Sequence, residues 1–336
     1  MTPELLEKLQ TINDDSVTHL LEPRDLRPAW HRWSQREIDA VTLALAAERP
    51  LLLRGEPGAG KTQLARAAAN LLGWRLHIAV IHARFEASDL FYRFDAVKRL
   101  ADAQTRTPGE PLSAEDEYLS PGPLWQALDW DSAKAMKNGP KDGGDPPGHV
   151  LLLDEIDKAD TDLANSLLDA LGSRRFQHPY GGHAVGAGSY PLVVVTTNED
   201  REMPAPFLRR CIVLDMDVAE DADYAVHLCR IAEAHFGELP GRARLLDRDI
   251  IEQAAGVLLR DRLAIGNARL QPPGVAEMID LLTALLAIAP GVDAGAVASR
   301  KQWLERLSDY ALRKYQGRSL PAELRQRAGA AQPAQA

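Results

Sequence analysis

Three leucines followed by a glycine-rich turn set the strongest limit on how this chain can fold. Leu51, Leu52 and Leu53 are apolar on both alternating faces, so a strand there must be covered from both sides. The chain then reads GEPGAGKT (residues 55–62), and a helical pattern runs over residues 64–72 until Gly73 ends it. A doubly covered strand that turns tightly into a helix belongs to a parallel sheet. Parallel neighbours need helical crossovers, and the crossovers coat both faces. Further stretches agree: Leu76, Ile78 and Val80 alternate, while residues 149–155 (HVLLLDE) and 191–198 (PLVVVTTN) are nearly continuous aliphatic runs. Ser34 and Glu37 have capping-box spacing and open a helix whose buried face is Ile38, Val41 and Leu45, with Pro50 as its stop. The order predicts a doubly wound α/β core over residues 30–215.

Residues 1–29 form an N-terminal extension with one short amphipathic pattern, Leu5, Leu6, Leu9 and Ile12, expected to be a packed or frayed terminal helix. Residues 129–148 are rich in Gly, Pro, Asp and Lys and are expected to be a long flexible surface loop. After Asp215 the strand signals stop. Helical patterns near residues 221–236, 247–263, 274–288 and 297–315 predict a smaller all-helical domain, residues 216–318. Residues 319–336 have the composition of a disordered tail.

A net charge of −9 argues against a surface built to grip phosphate backbones. Cys211 and Cys229 are too few and too far apart for a zinc site or a disulfide framework, which suits reduced thiols in a cytoplasmic protein. The longest apolar run, residues 281–290, is half of a membrane span, and the first residues lack the pattern of a signal peptide.

The chemistry gathers at four places. Gly55, Gly58 and Gly60 let the backbone approach a polyphosphate, and the following helix aims its positive end at the same spot. Lys61 is placed to bridge terminal phosphates and Thr62 to offer a hydroxyl to Mg²⁺. Asp154 ends an aliphatic strand, where it can hold the Mg²⁺ shell, and Glu155 can polarise a water. That second acid favours hydrolysis over transfer to a small acceptor. Thr196, Thr197 and Asn198 end another strand, and Asn198 can orient the attacking water. Arg209 and Arg210 precede a short strand at residues 212–214, from which a guanidinium could reach a neighbouring subunit's nucleotide. An N-K-x-D signature for guanine is missing, which points to ATP. The adenine pocket has no motif of its own, and residues 33–38 are expected to contribute.

GEPGAGKT, LLLDEID, VVVTTN and LRRC, in this order, resemble the Walker A, Walker B, sensor 1 and arginine-finger motifs of the AAA+ ATPases. Residues 87–100, 117–128 and 159–179 resemble the MoxR branch, which carries an insert after the second strand and a hairpin before sensor 1. Residues 176–190 stand at the hairpin's place, with Gly181 and Gly182 as its turn. The stretch RLQPPGVAEMIDLL (residues 269–282) resembles the lid helix bearing sensor 2, with Arg269 as the candidate.

The resemblance implies a P-loop (AAA+) parallel-sheet core with helices on both faces, followed by a helical lid domain. It implies that ATP is bound by Gly55, Glu56, Pro57, Gly58, Ala59, Gly60, Lys61, Thr62 and Gln63, with Asp154 and Arg269. Thr62 and Asp154 would hold Mg²⁺. Lys61, Glu155, Asn198 and Arg210 would carry catalysis, with Arg209 as helper. It also implies a homo-oligomeric ring, a hexamer, that remodels or matures a partner protein complex, often beside a partner with a von Willebrand factor A domain. The alternative is an AAA+ motor acting on nucleic acid or in a defence-type complex. Arg174, Arg175, His178 and His183 of the hairpin would then face a pore. A switch that scarcely hydrolyses is a third reading, against which Glu155, Asn198 and Arg210 speak. His77 and His82 are expected to pack or to face solvent.

Overall fold

The aliphatic runs form one sheet. Its strands are β1 (Leu51–Arg54), β2 (Arg75–Val80), β3 (His149–Asp154), β4 (Leu192–Thr197) and β5 (Ile212–Asp215). All neighbours are parallel and the order is β5-β1-β4-β3-β2. Every residue of β4 is buried, as are Leu51, Leu52 and Leu53, so the central strands need cover on both faces. Helices supply that cover. This computed structural model describes residues 2–20, 29–105, 114–141, 144–159, 161–180, 184–186, 190–199, 201–216, 221–265 and 272–312. The chain divides into two units: Met1–Ser16, Trp33–Gly55 and Lys61–Asp215 in the first, and Val17–Arg32, Glu56–Gly60 and Met216–Ala336 in the second.

In the first unit, α1 (Gln35–Ala47) opens on the capping box read from the sequence. The Ser34 amide donates to Glu37 Oε2 at 2.7 Å and the Glu37 amide to Ser34 Oγ at 3.3 Å. Helix α2 (Lys61–Leu72) follows the glycine turn and ends at Gly73, whose φ of +67° suits a residue without a side chain. The terminal helix Pro3–Gln10 is packed: Leu9 is buried, and Lys8 Nζ donates to the Leu72 carbonyl at 2.9 Å, at the negative end of α2.

Between β2 and β3 lies an insert. It contains an antiparallel pair, Tyr92–Phe94 with Leu119–Pro121, and the helices Ala87–Phe91, Ala96–Thr105, Pro123–Leu128 and Trp130–Ala135. The last of these corrects the expectation of a loop over residues 129–148. Asp129 Oδ1 accepts from the Ser132 amide at 3.0 Å as an N-cap, and Trp130 and Ala133 are buried. Polar composition concealed a helix that two apolar residues and a cap are enough to anchor.

After α3 (Thr161–Ser173) comes the expected hairpin, Phe176–Gln177 paired with Ala184–Val185; its proposed turn residues, Gly181 and Gly182, lie outside the described residues. The hairpin is packed down. Phe176 lies tilted against Phe91 at 4.8 Å and edge-on to Trp125 at 5.4 Å, and Val185 is buried.

Among the described residues, the second unit has four long helices, α4 (Asp221–Phe236), α5 (Arg248–Ile265), α6 (Val275–Ile288) and α7 (Ala294–Ala311). Their core includes Leu228, Ile251, Leu258, Leu282 and Leu304. An antiparallel pair from the front of the chain, Val17–Leu20 with Ala29–Arg32, belongs to this unit. The residues expected to be one N-terminal extension therefore divide, helix to one unit and hairpin to the other. Arg32 Nη1 donates to the Arg230 carbonyl at 3.3 Å, and the Trp30 ring lies between His19 at 4.2 Å and the Arg242 guanidinium at 4.4 Å. Residues 319–336 lie outside the described residues. Among the described residues, no helix is long and apolar enough to cross a membrane.

Candidate functional site

Because all five strands are parallel, their carboxyl ends collect along one edge, and it is there that an open α/β sheet offers a crevice. Asp154 ends β3, Thr196 and Thr197 end β4, and Gly55 follows β1. The fully buried Thr196 hydroxyl ties them together. It donates to Asp154 Oδ1 at 2.6 Å and accepts from the Glu155 amide at 2.9 Å. Thr62 Oγ1, in the first turn of α2, donates to the same carboxylate at 3.0 Å. Asn198 Nδ2 reaches Glu155 Oε1 at 3.4 Å, and Lys158 Nζ pairs with Glu155 Oε2 at 2.5 Å. Glu155 sits at φ +63°, a left-handed conformation uncommon for a residue with a side chain. The turn aims its carboxylate toward Asn198 instead of continuing the strand.

The glycine turn behaves as its sequence demands. Gly58 and Gly60 have φ of +85° and +93°, open to glycine with little strain. Lys61 is buried, and its Nζ donates to the Gly55 carbonyl at 2.6 Å, folding the ammonium back over the turn. Gln63 instead uses its amide oxygen to accept from Arg66 at 2.8 Å. The donor set suits a hard divalent ion: a hydroxyl and a carboxylate side by side.

Arg209 and Arg210 do not join this cluster. They precede Ile212, which pairs with Leu51 at the amino end of β1, so they lie at the opposite edge of the sheet, one strand length or about 13 Å away. Both are exposed, and the Arg209 carbonyl accepts from Arg49 at 3.4 Å. Arg269 and His183 lie outside the described residues.

The other basic groups of the hairpin are partly engaged. Arg174 pairs with Glu48 and lies over the Tyr190 ring at 5.5 Å; His178 is buried, edge-on to Trp125 at 5.2 Å. Arg175 is exposed. His82 is exposed and accepts from the Arg84 amide, whereas His77 is buried with its Nε2 2.9 Å from His149 Nδ1. Burial, then His149 and Arg75, push His77 down to about 3, and burial with Arg75 pushes His149 down to about 4.

Within the second unit a pocket is lined by Glu56, Pro57, Gly58, Ala59, Met216, Tyr224, His227, Arg262 and Val275. The Arg262 guanidinium covers Tyr224 at 4.4 Å and pairs with Glu56 at 2.8 Å. Residues 33–38 do not line this pocket; Trp33 and Ile38 are spent in packing and Glu37 in the cap. Sequence reasoning missed Arg262 and Tyr224, since a helical arginine whose partner is 206 residues distant leaves no periodic or spacing signal.

Residues 50–211 match the family model described as the AAA domain of the dynein-related subfamily. No curated protein matches the chain. Among solved structures, the chain is similar to a single-site variant of RuvB from Thermotoga maritima, at 17% identity and a TM-score of 0.44, covering 83% of this chain and 70% of that one. It is also similar to a putative ATPase from Cytophaga hutchinsonii, at 11% identity and a TM-score of 0.40, covering 92% of this chain and 84% of that one. The matched stretch runs from the first strand of the sheet through both acids and Asn198 to the residue after Arg210. Residues 50–211, just under half of the chain, are thus similar to an AAA domain, and the protein is an ATPase.

Proposed function

We propose that this ATPase is a MoxR-like, ring-forming machine, a hexamer, that remodels or matures a partner protein complex in the cytoplasm, beside a partner of the von Willebrand factor A type. The observation that carries the assembly is the separation of its charges. Lys61, Glu155 and Asn198 gather at one edge of the sheet, while Arg209 and Arg210 stand exposed at the other. An arginine one strand length from its own site serves a site on another copy.

In this reading the glycine turn holds the ATP phosphates through its amides and Lys61. Thr62 and Asp154 hold Mg²⁺, which when bound neutralises phosphate charge. Asp154 is kept in place by Thr196. Glu155 accepts the proton of the attacking water, and Asn198 orients that water against it. Arg210 of the next copy stabilises charge as the terminal phosphoryl leaves, with Arg209 beside it.

Mixing tests the shared site. Arg210→Ala and Glu155→Gln should each lose hydrolysis by about 10³-fold as single species while still binding ATP. Combined, they should regain activity, because the intact Glu155 of one meets the intact Arg210 of the other. Normal hydrolysis by Arg210→Ala alone would remove the arginine from the mechanism, and with it the case for a ring.

A further inference from the structure

The residue just before the glycine turn is charged. Arg54 ends β1, in register with Thr197 on one side and with Asp215 on the other. Its Nη1 lies 3.5 Å from Glu199 Oε1 and its Nε 3.8 Å from Asp215 Oδ1. The side chain is 29% exposed, so the fork spans two strand ends at the rim of the sheet.

Glu199 is the residue after Asn198, and the turn carrying both is held at three points. The Asn198 amide donates to Asp157 Oδ2 at 3.2 Å, and the Glu199 amide donates to Thr197 Oγ1 at 2.9 Å. The third point is the pair with Arg54. Glu199 has φ +61°, a conformation that a residue with a side chain keeps only when its surroundings impose it. The Asn198 side-chain amide reaches Glu155 Oε1 at 3.4 Å, a distance that a small rotation of this turn would lengthen beyond hydrogen bonding.

We propose that Arg54 is a positioning residue for hydrolysis: through Glu199 it fixes the turn that aims Asn198 at Glu155 and ties that turn to the root of the phosphate loop. The residue after Arg54 is Gly55, whose carbonyl receives Lys61 Nζ, so one guanidinium references both the loop and Asn198 to the same strand end. The inference rests on the role given above to Asn198. An exposed ion pair adds little to stability, but reacting groups displaced by an ångström lose rate steeply.

Glu199→Gln is the cleanest probe, since it removes the pair and leaves no acid unpaired beside the loop. It should lower kcat about tenfold with KM and Tm unchanged. Arg54→Met with Glu199→Gln should be no slower than Glu199→Gln alone. In an Asn198→Ala background, Glu199→Gln should cost nothing further, because the group it aims is gone. A wild-type kcat for Glu199→Gln beside a slow Asn198→Ala would overturn the role of Arg54 and leave the site reading standing. A further loss from Glu199→Gln in the Asn198→Ala background would overturn it as well. If Asn198→Ala itself hydrolyses normally, the site reading fails first.

Discussion

The two edges of one sheet treat polar side chains in opposite ways. At the carboxyl edge, Asp154, Thr196, Glu155 and Asn198 are joined by hydrogen bonds, and both acids are only partly buried. Toward the amino edge, His77 in the first half of β2 and His149 at the start of β3 are buried against Trp130, which the Arg75 guanidinium covers at 4.5 Å. There burial drives both imidazoles neutral. Groups proposed to carry charge in the reaction are left partly wet and supported by partners. Groups that only need to pack are stripped of charge. Arg209 and Arg210 at the same edge keep their charge and are exposed.

The largest effect is expected where the polar edge is most interconnected. Thr196→Val keeps the volume but leaves Asp154 Oδ1 and the Glu155 amide without this partner. It should slow hydrolysis by about tenfold or more and lower stability by about 1–3 kcal/mol in a urea melt. An unchanged rate would mean that the hydroxyl only fills space, and the contrast between the edges would collapse.

The histidine edge should answer to pH alone. Each histidine has a folded value below its unfolded value of about 6.5. The unfolded chain therefore takes up protons first as pH falls, and stability declines from about pH 6.5 toward the folded values of about 3 and about 4. Between pH 7 and 5 the loss should be about 2 kcal/mol for each of the two histidines, and His77→Gln with His149→Gln should reduce the slope without abolishing it, because burial also pushes His235 down to about 4. A slope undiminished by the double change would place the titration elsewhere.

The smallest effect belongs to a contact far from both edges' chemistry. Lys8→Met removes the ammonium at the carboxyl end of α2. It should cost about 0.5 kcal/mol in a thermal melt without altering the rate.

Much of the first unit was legible because its strands are apolar on both faces and its turns use glycine. GEPGAGKT could be placed between strand and helix from spacing alone, and the capping box at Ser34 and Glu37 appeared where its pattern stood. The four long helices of the second unit followed from their periodicity. Two kinds of feature were hidden. Trp130–Ala135 is short and sits in a Gly- and Pro-rich stretch, so composition outweighed its cap. The pocket around Arg262 and Tyr224 is assembled from residues far apart in the chain. The bond from Thr196 to Asp154 was hidden for the same reason: strand ends could be read singly, but which ones are neighbours depends on the strand order.

That order has a consequence for how the chain is made. β4 lies between β1 and β3 but is synthesised after both, its partner in β1 being some 140 residues earlier. Until residue 197 has emerged, the leucines of β1 and β3 face an empty slot, with their backbone amides unpaired along it. A nascent chain held at that stage exposes two apolar strand edges, the condition under which chains stick to one another. The strand that carries Thr196 is thus also the one that joins β1 to β3, so a chain that stops short of it lacks both the hydroxyl that holds Asp154 and the middle of its sheet.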